Sequence, residues 1–166
     1  MRRIFSLLVL LAFAGAPADT LAGFKAANTD ELAPDLQLVS AEFGIVKQAE
    51  DGTIQIIPEK KIPLVFGQQY GWRLRFRTTR KLLALREEFV LPAAPRAWGS
   101  ESPSRDFKLT PDRKTATTEG VVMLSDGMIQ HAWSVANGDP AGDYEIRLFI
   151  EGKLVRTFKF EVAPPK

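Results

Sequence analysis

The chain has 166 residues, of which 45% are hydrophobic and 25% are charged, and its formal net charge is +2. This composition is typical of one ordinary globular domain and excludes a disordered or fibrous chain. The absence of cysteine excludes disulfides, thiolate metal sites and cysteine nucleophiles. Because there is one histidine, metal sites that need several imidazole ligands are excluded as well.

The N-terminus has the pattern of an export signal. Two arginines at positions 2 and 3 precede an apolar run over residues 4–14, which is followed by the alanine-containing cleavage site 16–18. We predict a signal peptide over residues 1–18, with a cut after residue 22 as the alternative. The apolar run is too short to cross a hydrocarbon core of about 30 Å. We therefore expect a periplasmic or secreted protein with no membrane span in its mature form.

Removal of the signal changes the charge balance. Residues 1–18 contain two arginines and no acid, so 22 basic and 20 acidic residues become 20 and 20 in the mature chain. A nucleic-acid-binding domain needs a net basic footprint to neutralise phosphates. The sequence therefore predicts no nucleic-acid partner.

Short β-like segments follow one another after a polar lead-in over residues 19–34. Valine, isoleucine, phenylalanine and threonine recur in runs bounded by glycine, proline and aspartate, and no long stretch has the apolar period of a helix. The proline-rich segment 92–112 predicts a long connection. Residues 82–88 are compatible with a helical turn as well as with a strand. The predicted strands cover residues 36–48, 53–57, 62–66, 70–78, 82–91, 117–124, 128–136, 143–150 and 154–162.

These segments predict an all-β fold. Seven to nine short strands with regular turn signals and no intervening helices favour a single antiparallel β-sandwich of immunoglobulin-like topology over residues 35–163. A small barrel is the alternative, because local patterns do not show whether the sheets close.

Two hairpins are predicted in detail. Asp126-Gly127 is a strong signal for a two-residue turn, which would place Val122 opposite His131 and put His131 on an apolar face with Trp133. In the C-terminal pair, the apolar faces match if Ile150 pairs with Leu154 through a three-residue loop with a bulge, and Arg156 then falls on the apolar face.

The C-terminal half resembles a known class of domains. Residues 127–133, 138–144, 148–154 and 158–162 are similar to the closing strands of bacterial secreted domains of unknown function with an immunoglobulin-like sandwich. In those domains a turn with proline and glycine opens the penultimate strand, and a Gly-Lys-Leu hairpin leads to the final one. The resemblance implies a fold and a compartment, and it supplies no catalytic residues.

The most unusual local feature is a stripe of arginines. In the run from 72 to 77, alternation places Arg73, Arg75 and Arg77 on the face opposite Trp72 and its apolar neighbours. Guanidinium groups match carboxylate or phosphate oxygens bidentately, so this stripe is a candidate surface for an anionic glycan or an envelope protein. The competing interpretation is a solvated face whose charges pair across strands.

Trp98, in the proline-rich connection, is the one tryptophan not placed on a core face, and it is the second candidate contact residue. His131 and the carboxylates Glu87, Glu88, Asp139 and Asp143 are candidates for hydrolytic chemistry. Adjacent acids in a strand point to opposite faces, however, so Glu87 and Glu88 cannot act as a pair. The favoured role of His131 is that of a core or cleft histidine hydrogen-bonded to the backbone, and structural or turn roles are favoured for these acids.

The sequence therefore predicts a non-enzymatic binding or accessory module of the bacterial envelope, with no catalytic residues, no metal site and no cofactor. The alternative is a small envelope hydrolase that uses carboxylates and His131. This alternative requires that His131 and at least one acid meet in one concave site.

Overall fold

The computed structural model describes residues 30–50, 53–98 and 106–165. This part of the chain contains strands and turns but no helix. The strands are β1 (Asp30–Ala33), β2 (Leu36–Gln48), β3 (Ile54–Pro58), β4 (Lys61–Pro63), β5 (Gln69–Thr78), β6 (Leu82–Val90), β7 (Asp106–Leu109), β8 (Thr115–Met123), β9 (Met128–Ser134), β10 (Gly142–Ile150) and β11 (Lys153–Ala163). The predicted signal peptide lies outside the described residues.

The strands form two sheets. In the first sheet the order is β1-β2-β5-β9, with β3 also paired to β2. In the second sheet the order is β4-β11-β10-β6-β8-β7. Every pair is antiparallel except β4 with β11, which is parallel. The fold is therefore an antiparallel β-sandwich, as the sequence predicts, and the sheets do not close into a barrel.

The core lies between the two sheets and follows the alternation of the strands. In β5 every second side chain is buried, from Tyr70 to Phe76, and in β10 the same holds from Tyr144 to Ile150. A strand presents residues i and i+2 to one face, so one apolar face per sheet is enough to build the core. The predicted core positions of Trp72 and of the β10 alternation are confirmed.

The nine predicted strands are all present, and two further short strands were missed. β1 lies in the predicted polar lead-in and β7 in the predicted proline-rich connection. Both sit at sheet edges and have one strand neighbour each. Each has four residues, so the two-residue alternation has little length in which to appear. Residues 82–88 belong to β6 and are not a helical turn.

The first predicted hairpin is wrong beyond its turn. Asp126 and Gly127 do adopt positive φ, 49° and 72°, as the mirror-image turn requires. However, the pairing ends at the bridge between Ser125 and Met128. β8 then continues in the second sheet and β9 in the first. The turn thus connects the sheets, and Val122 does not pair with His131.

The second predicted hairpin is shifted by one residue. Ile150 pairs with Lys153 across a two-residue turn, Glu151-Gly152, in which both residues have positive φ. The bulge lies further along, where Phe149 faces Leu154 but Leu148 faces Arg156. As a result the side chain of Leu154 is 55% exposed and Val155 takes the core position.

Candidate functional site

The arginine stripe lies on the outer face of the first sheet, but its three members have different environments. Arg73 is held on several sides: its Nε donates to Oε1 of Gln130 at 3.0 Å, and its Nη2 donates to the backbone oxygen of Ile54 at 2.7 Å. Its Nη1 also lies 3.6 Å from Oε2 of Glu42. Arg73 therefore connects three strands and has a structural role.

Arg75 and Arg77 are exposed and carry charge that the sheet does not neutralise. The cross-strand neighbours of Arg75 are Ser40 and Met128, both uncharged. Arg77 donates from Nη1 to the neutral amide oxygen of Gln37 at 2.9 Å. Within the part of the chain that the structure describes, neither guanidinium has an ion pair. We call Arg73, Arg75 and Arg77 together the arginine face.

Trp98 is half-buried rather than freely exposed. Its indole Nε1 donates to the backbone oxygen of Arg113 at 2.9 Å, and its ring packs edge-on against Phe89 and Phe107 at centroid distances of 6.0 and 6.4 Å. These contacts fix the indole against the end of the sandwich. Trp98 thus forms part of the wall of a cleft.

The cleft lies between β5, β6 and β9 at the end of the sandwich where Trp98 packs. Its volume is about 380 Å³. Both half-buried indoles, those of Trp98 and Trp133, contribute to its walls. We name it the aromatic cleft and define it by Tyr70, Phe89, Trp98, Trp133, Asp139 and Tyr144.

A buried carboxylate joins the two sheets beside this cleft. Glu87 in β6 is 1% exposed, and its Oε1 accepts a hydrogen bond from Nε1 of Trp133 at 2.7 Å. Its Oε2 lies 2.8 Å from Nδ1 of His131. With Glu87 ionised, both of its oxygens accept, and the contact then requires the proton of a neutral His131 on Nδ1.

His131 lies on the inner face, as predicted, but its partner is not the one expected. We expected the histidine to bond to the backbone, whereas it bonds to the side chain of Glu87. The alternation of β6 indicates that Glu87 is buried, since Glu87 lies on the same face of the strand as the buried residues Leu85 and Phe89. An acid at a core position of a strand needs a buried donor, and His131 and Trp133 supply two.

Of the remaining candidate acids, Asp139 lines the same cleft as His131, whereas Glu88 and Asp143 do not. Glu88 points to the outer face of β6, where it contacts Arg86 and Arg147, so Glu87 and Glu88 are on opposite faces as expected. Asp139 lines the aromatic cleft and accepts a hydrogen bond from the backbone N of Ala136 at 2.8 Å. Burial raises the pKa of Asp139. Asp143 is exposed at the start of β10.

The described residues contain no group of three or more histidine, aspartate or glutamate side chains placed to hold a metal ion. Within the same ranges, no helix has the length and hydropathy needed to cross a bilayer.

Comparison with known proteins identifies the family. The model of the PM0630 beta sandwich domain matches residues 41–163. The chain belongs to this family. Its solved structural neighbours include an immunoglobulin-like protein from Pseudomonas aeruginosa, which is 16% identical with a TM-score of 0.54 over 78% of this chain and 97% of that one. The fold is thus an immunoglobulin-like β-sandwich, as predicted.

A second neighbour is the PmoD soluble domain from Methylocystis sp., which is 14% identical with a TM-score of 0.41 over 81% of this chain and 97% of that one. No relative was found among proteins of curated function.

Proposed function

We propose that this family member is an exported, non-enzymatic binding module of the bacterial envelope that contacts an anionic partner, a glycan or an envelope protein, through its arginine face. One observation carries the proposal: the guanidinium groups of Arg75 and Arg77 are exposed side by side with no ion pair among the described residues. The export pattern at residues 1–18 supports the compartment.

The geometry of the face suits an extended anionic partner. Arg75 and Arg77 are two residues apart in one strand, so their side chains leave the sheet about 7 Å apart on the same side. Each guanidinium can bind a carboxylate or phosphate with two parallel hydrogen bonds. Because exposed charges are screened by salt over roughly 10 Å at 0.1 M, binding through this face should weaken as the salt concentration rises.

A retention experiment tests the proposal. The mature chain from Asp19 is immobilised and incubated with envelope extract at low and at high salt. The double variant Arg75→Glu with Arg77→Glu is compared with a control, Lys108→Glu with Lys114→Glu, which makes the same charge change on exposed residues of β7 and of the turn after it. Arg73 is left intact because its hydrogen bonds hold the sheet.

The proposal expects a partner that is retained at low salt, released at high salt, lost with the arginine variant and kept with the lysine control. Equal retention by both variants, or retention that does not respond to salt, would rule out the arginine face as the contact surface.

A second candidate function, a small hydrolase, is favoured by the contact between Glu87 and His131 at 2.8 Å. This contact orients the imidazole as a general base would require. Ester and glycoside substrates offered to the mature chain, to His131→Ala and to Glu87→Gln test it. Turnover that disappears in His131→Ala would establish this function, and equal background rates in all three proteins would exclude it for those substrates.

A further inference from the structure

The aromatic cleft has aromatic rings in several orientations around one buried phenyl group. Phe89 is 3% exposed, and around it lie Trp133 at a centroid distance of 4.7 Å, Tyr144 at 5.7 Å and Trp98 at 6.0 Å. The planes of these rings are inclined to that of Phe89 by 42°, 46° and 80°. Because Phe89 and Tyr144 are buried, the exposed ring surface of the cleft comes from the half-buried indoles of Trp98 and Trp133.

The ionisable side chains that line the cleft are Asp139, His131 and the phenols of Tyr70 and Tyr144. Asp139 is in its wall, and Glu87 lies directly behind Trp133 and His131. Among the described residues that line the cleft there is no lysine or arginine side chain. Burial of Tyr70, together with the nearby Tyr144, Asp139 and Glu87, raises the pKa of its phenol. Asp139 is thus the group in the cleft wall that can supply a negative charge.

We propose that the aromatic cleft binds a small alkylated ammonium group. Tryptophan is the best aromatic partner for a cation, and aromatic cages are the usual site for quaternary ammonium groups. Here Trp98 and Trp133 supply the indoles and Asp139 the counter-charge. The volume of about 380 Å³ is near the small end of ligand sites, which span roughly 300–1,000 Å³. This site is separate from the arginine face, which selects the opposite charge.

Titration of the mature chain with two matched probes tests this inference. Choline carries a trimethylammonium group, and 3,3-dimethyl-1-butanol has the same shape without the charge. Binding is followed by tryptophan fluorescence and by calorimetry. Choline should bind at least about ten times more tightly than the neutral isostere, which corresponds to about 1.4 kcal/mol.

Substitutions in the cleft test whether choline binds there. Trp98→Ala should abolish choline binding, and Asp139→Asn should weaken it about tenfold, while the control Asp143→Asn, an exposed acid outside the cleft lining, should leave it unchanged. Trp98→Phe keeps an aromatic ring but loses the hydrogen bond to Arg113, so it separates loss of the ring from loss of the loop contact. Melting temperatures identify any variant that does not fold.

The source of the ammonium group is distinguished by a third probe, a short peptide with one trimethyllysine. Tighter binding of the peptide than of choline would indicate a modified side chain of a partner protein, and the reverse would indicate a free small molecule. Equal binding of choline and its isostere, no binding of either, or binding of N-acetylglucosamine in their place would overturn the proposal. None of these outcomes depends on the arginine face.

Discussion

Glu87 and Trp133 belong to different sheets, and the carboxylate of Glu87 accepts a hydrogen bond of 2.7 Å from the indole nitrogen of Trp133. The second carboxylate oxygen of Glu87 contacts Nδ1 of His131, which lies two residues before Trp133 in β9. One acid therefore connects β6 to β9, whose strand partner among the described residues is β5. This link holds the wall of the aromatic cleft in place.

Replacement of Glu87 by alanine should destabilise the protein by about 2–4 kcal/mol, because it leaves the buried donors of Trp133 and His131 without an acceptor. Glu87→Gln should cost less, since the amide oxygen still accepts from Trp133. Urea unfolding measures both. The control is Glu88→Ala on the outer face, and equal midpoints for Glu87→Ala and Glu88→Ala would contradict the structural role of Glu87.

The arginine face should separate into structural and functional members. Arg73→Ala should destabilise the fold by about 1–2 kcal/mol, because its hydrogen bonds to Gln130 and Ile54 are lost. Arg75→Ala should change stability by less than about 0.5 kcal/mol, as is usual for exposed positions. Chemical denaturation of the two variants side by side checks this. A larger loss for Arg75→Ala than for Arg73→Ala would reverse the assignment.

Gly71 should tolerate no side chain. A Cβ at this position would lie 2.2 Å from the backbone oxygen of His131 and 2.9 Å from Cα of Ala132. Gly71→Ala must therefore separate β5 from β9 and should cost at least about 3 kcal/mol. Gly67→Ala is the matched control, since it meets no atom within 4 Å and carries only the cost of its positive φ of 81°, about 1–2 kcal/mol. Thermal unfolding that ranks the two variants the other way would refute the close approach.

Asp35 should make the stability of the folded protein depend on pH. Arg80 donates to both carboxylate oxygens, from Nε at 2.8 Å and from Nη2 at 2.7 Å, and this hydrogen bonding lowers the pKa of Asp35. A lowered folded-state pKa means that the stabilisation is fully present above the pKa of a free aspartate, about 4. It is lost as the pH falls through the lower folded-state value.

The melting temperatures of the wild type and of Asp35→Asn should therefore differ at neutral pH and converge under acid conditions. The control variant is Glu161→Gln, which removes an exposed ion pair at another site, the one between Lys61 and Glu161. A difference for Asp35→Asn that stays constant from neutral pH into the acid range would show that Arg80 does not stabilise the ionised carboxylate.

Local patterns predicted the strands well, because alternation depends only on neighbouring residues. β2 was predicted with its observed bounds, and the inner face of β9, with His131 and Trp133, was also correct. The predictions that failed involved relations between strands. The turn at Asp126-Gly127 was recognised, but a turn signal does not show that the two strands leaving it enter different sheets.

In the candidate sites, too, local features were predicted and contacts between distant strands were not. The sequence showed that Arg73, Arg75 and Arg77 share a face, but only the pairing of β5 with β9 brings Gln130 beside Arg73. The contact between Glu87 and His131 spans 44 positions in the chain, so no short-range pattern could reveal it. His131 was placed on the apolar face of its strand, but the core-facing position of Glu87 was missed, although the alternation of β6 with Leu85 and Phe89 indicates it.

By itself the sequence determined an all-β chain with an export pattern, the faces of its strands and the absence of cysteine chemistry, since these follow from composition and from the two-residue period of a strand. Only the tertiary structure decided which strands share a sheet, which arginines have no ion pair among the described residues and that the two sheets enclose an aromatic cleft beside a buried acid. These features depend on how the two sheets pack, and sheet packing brings together residues that are far apart in the chain.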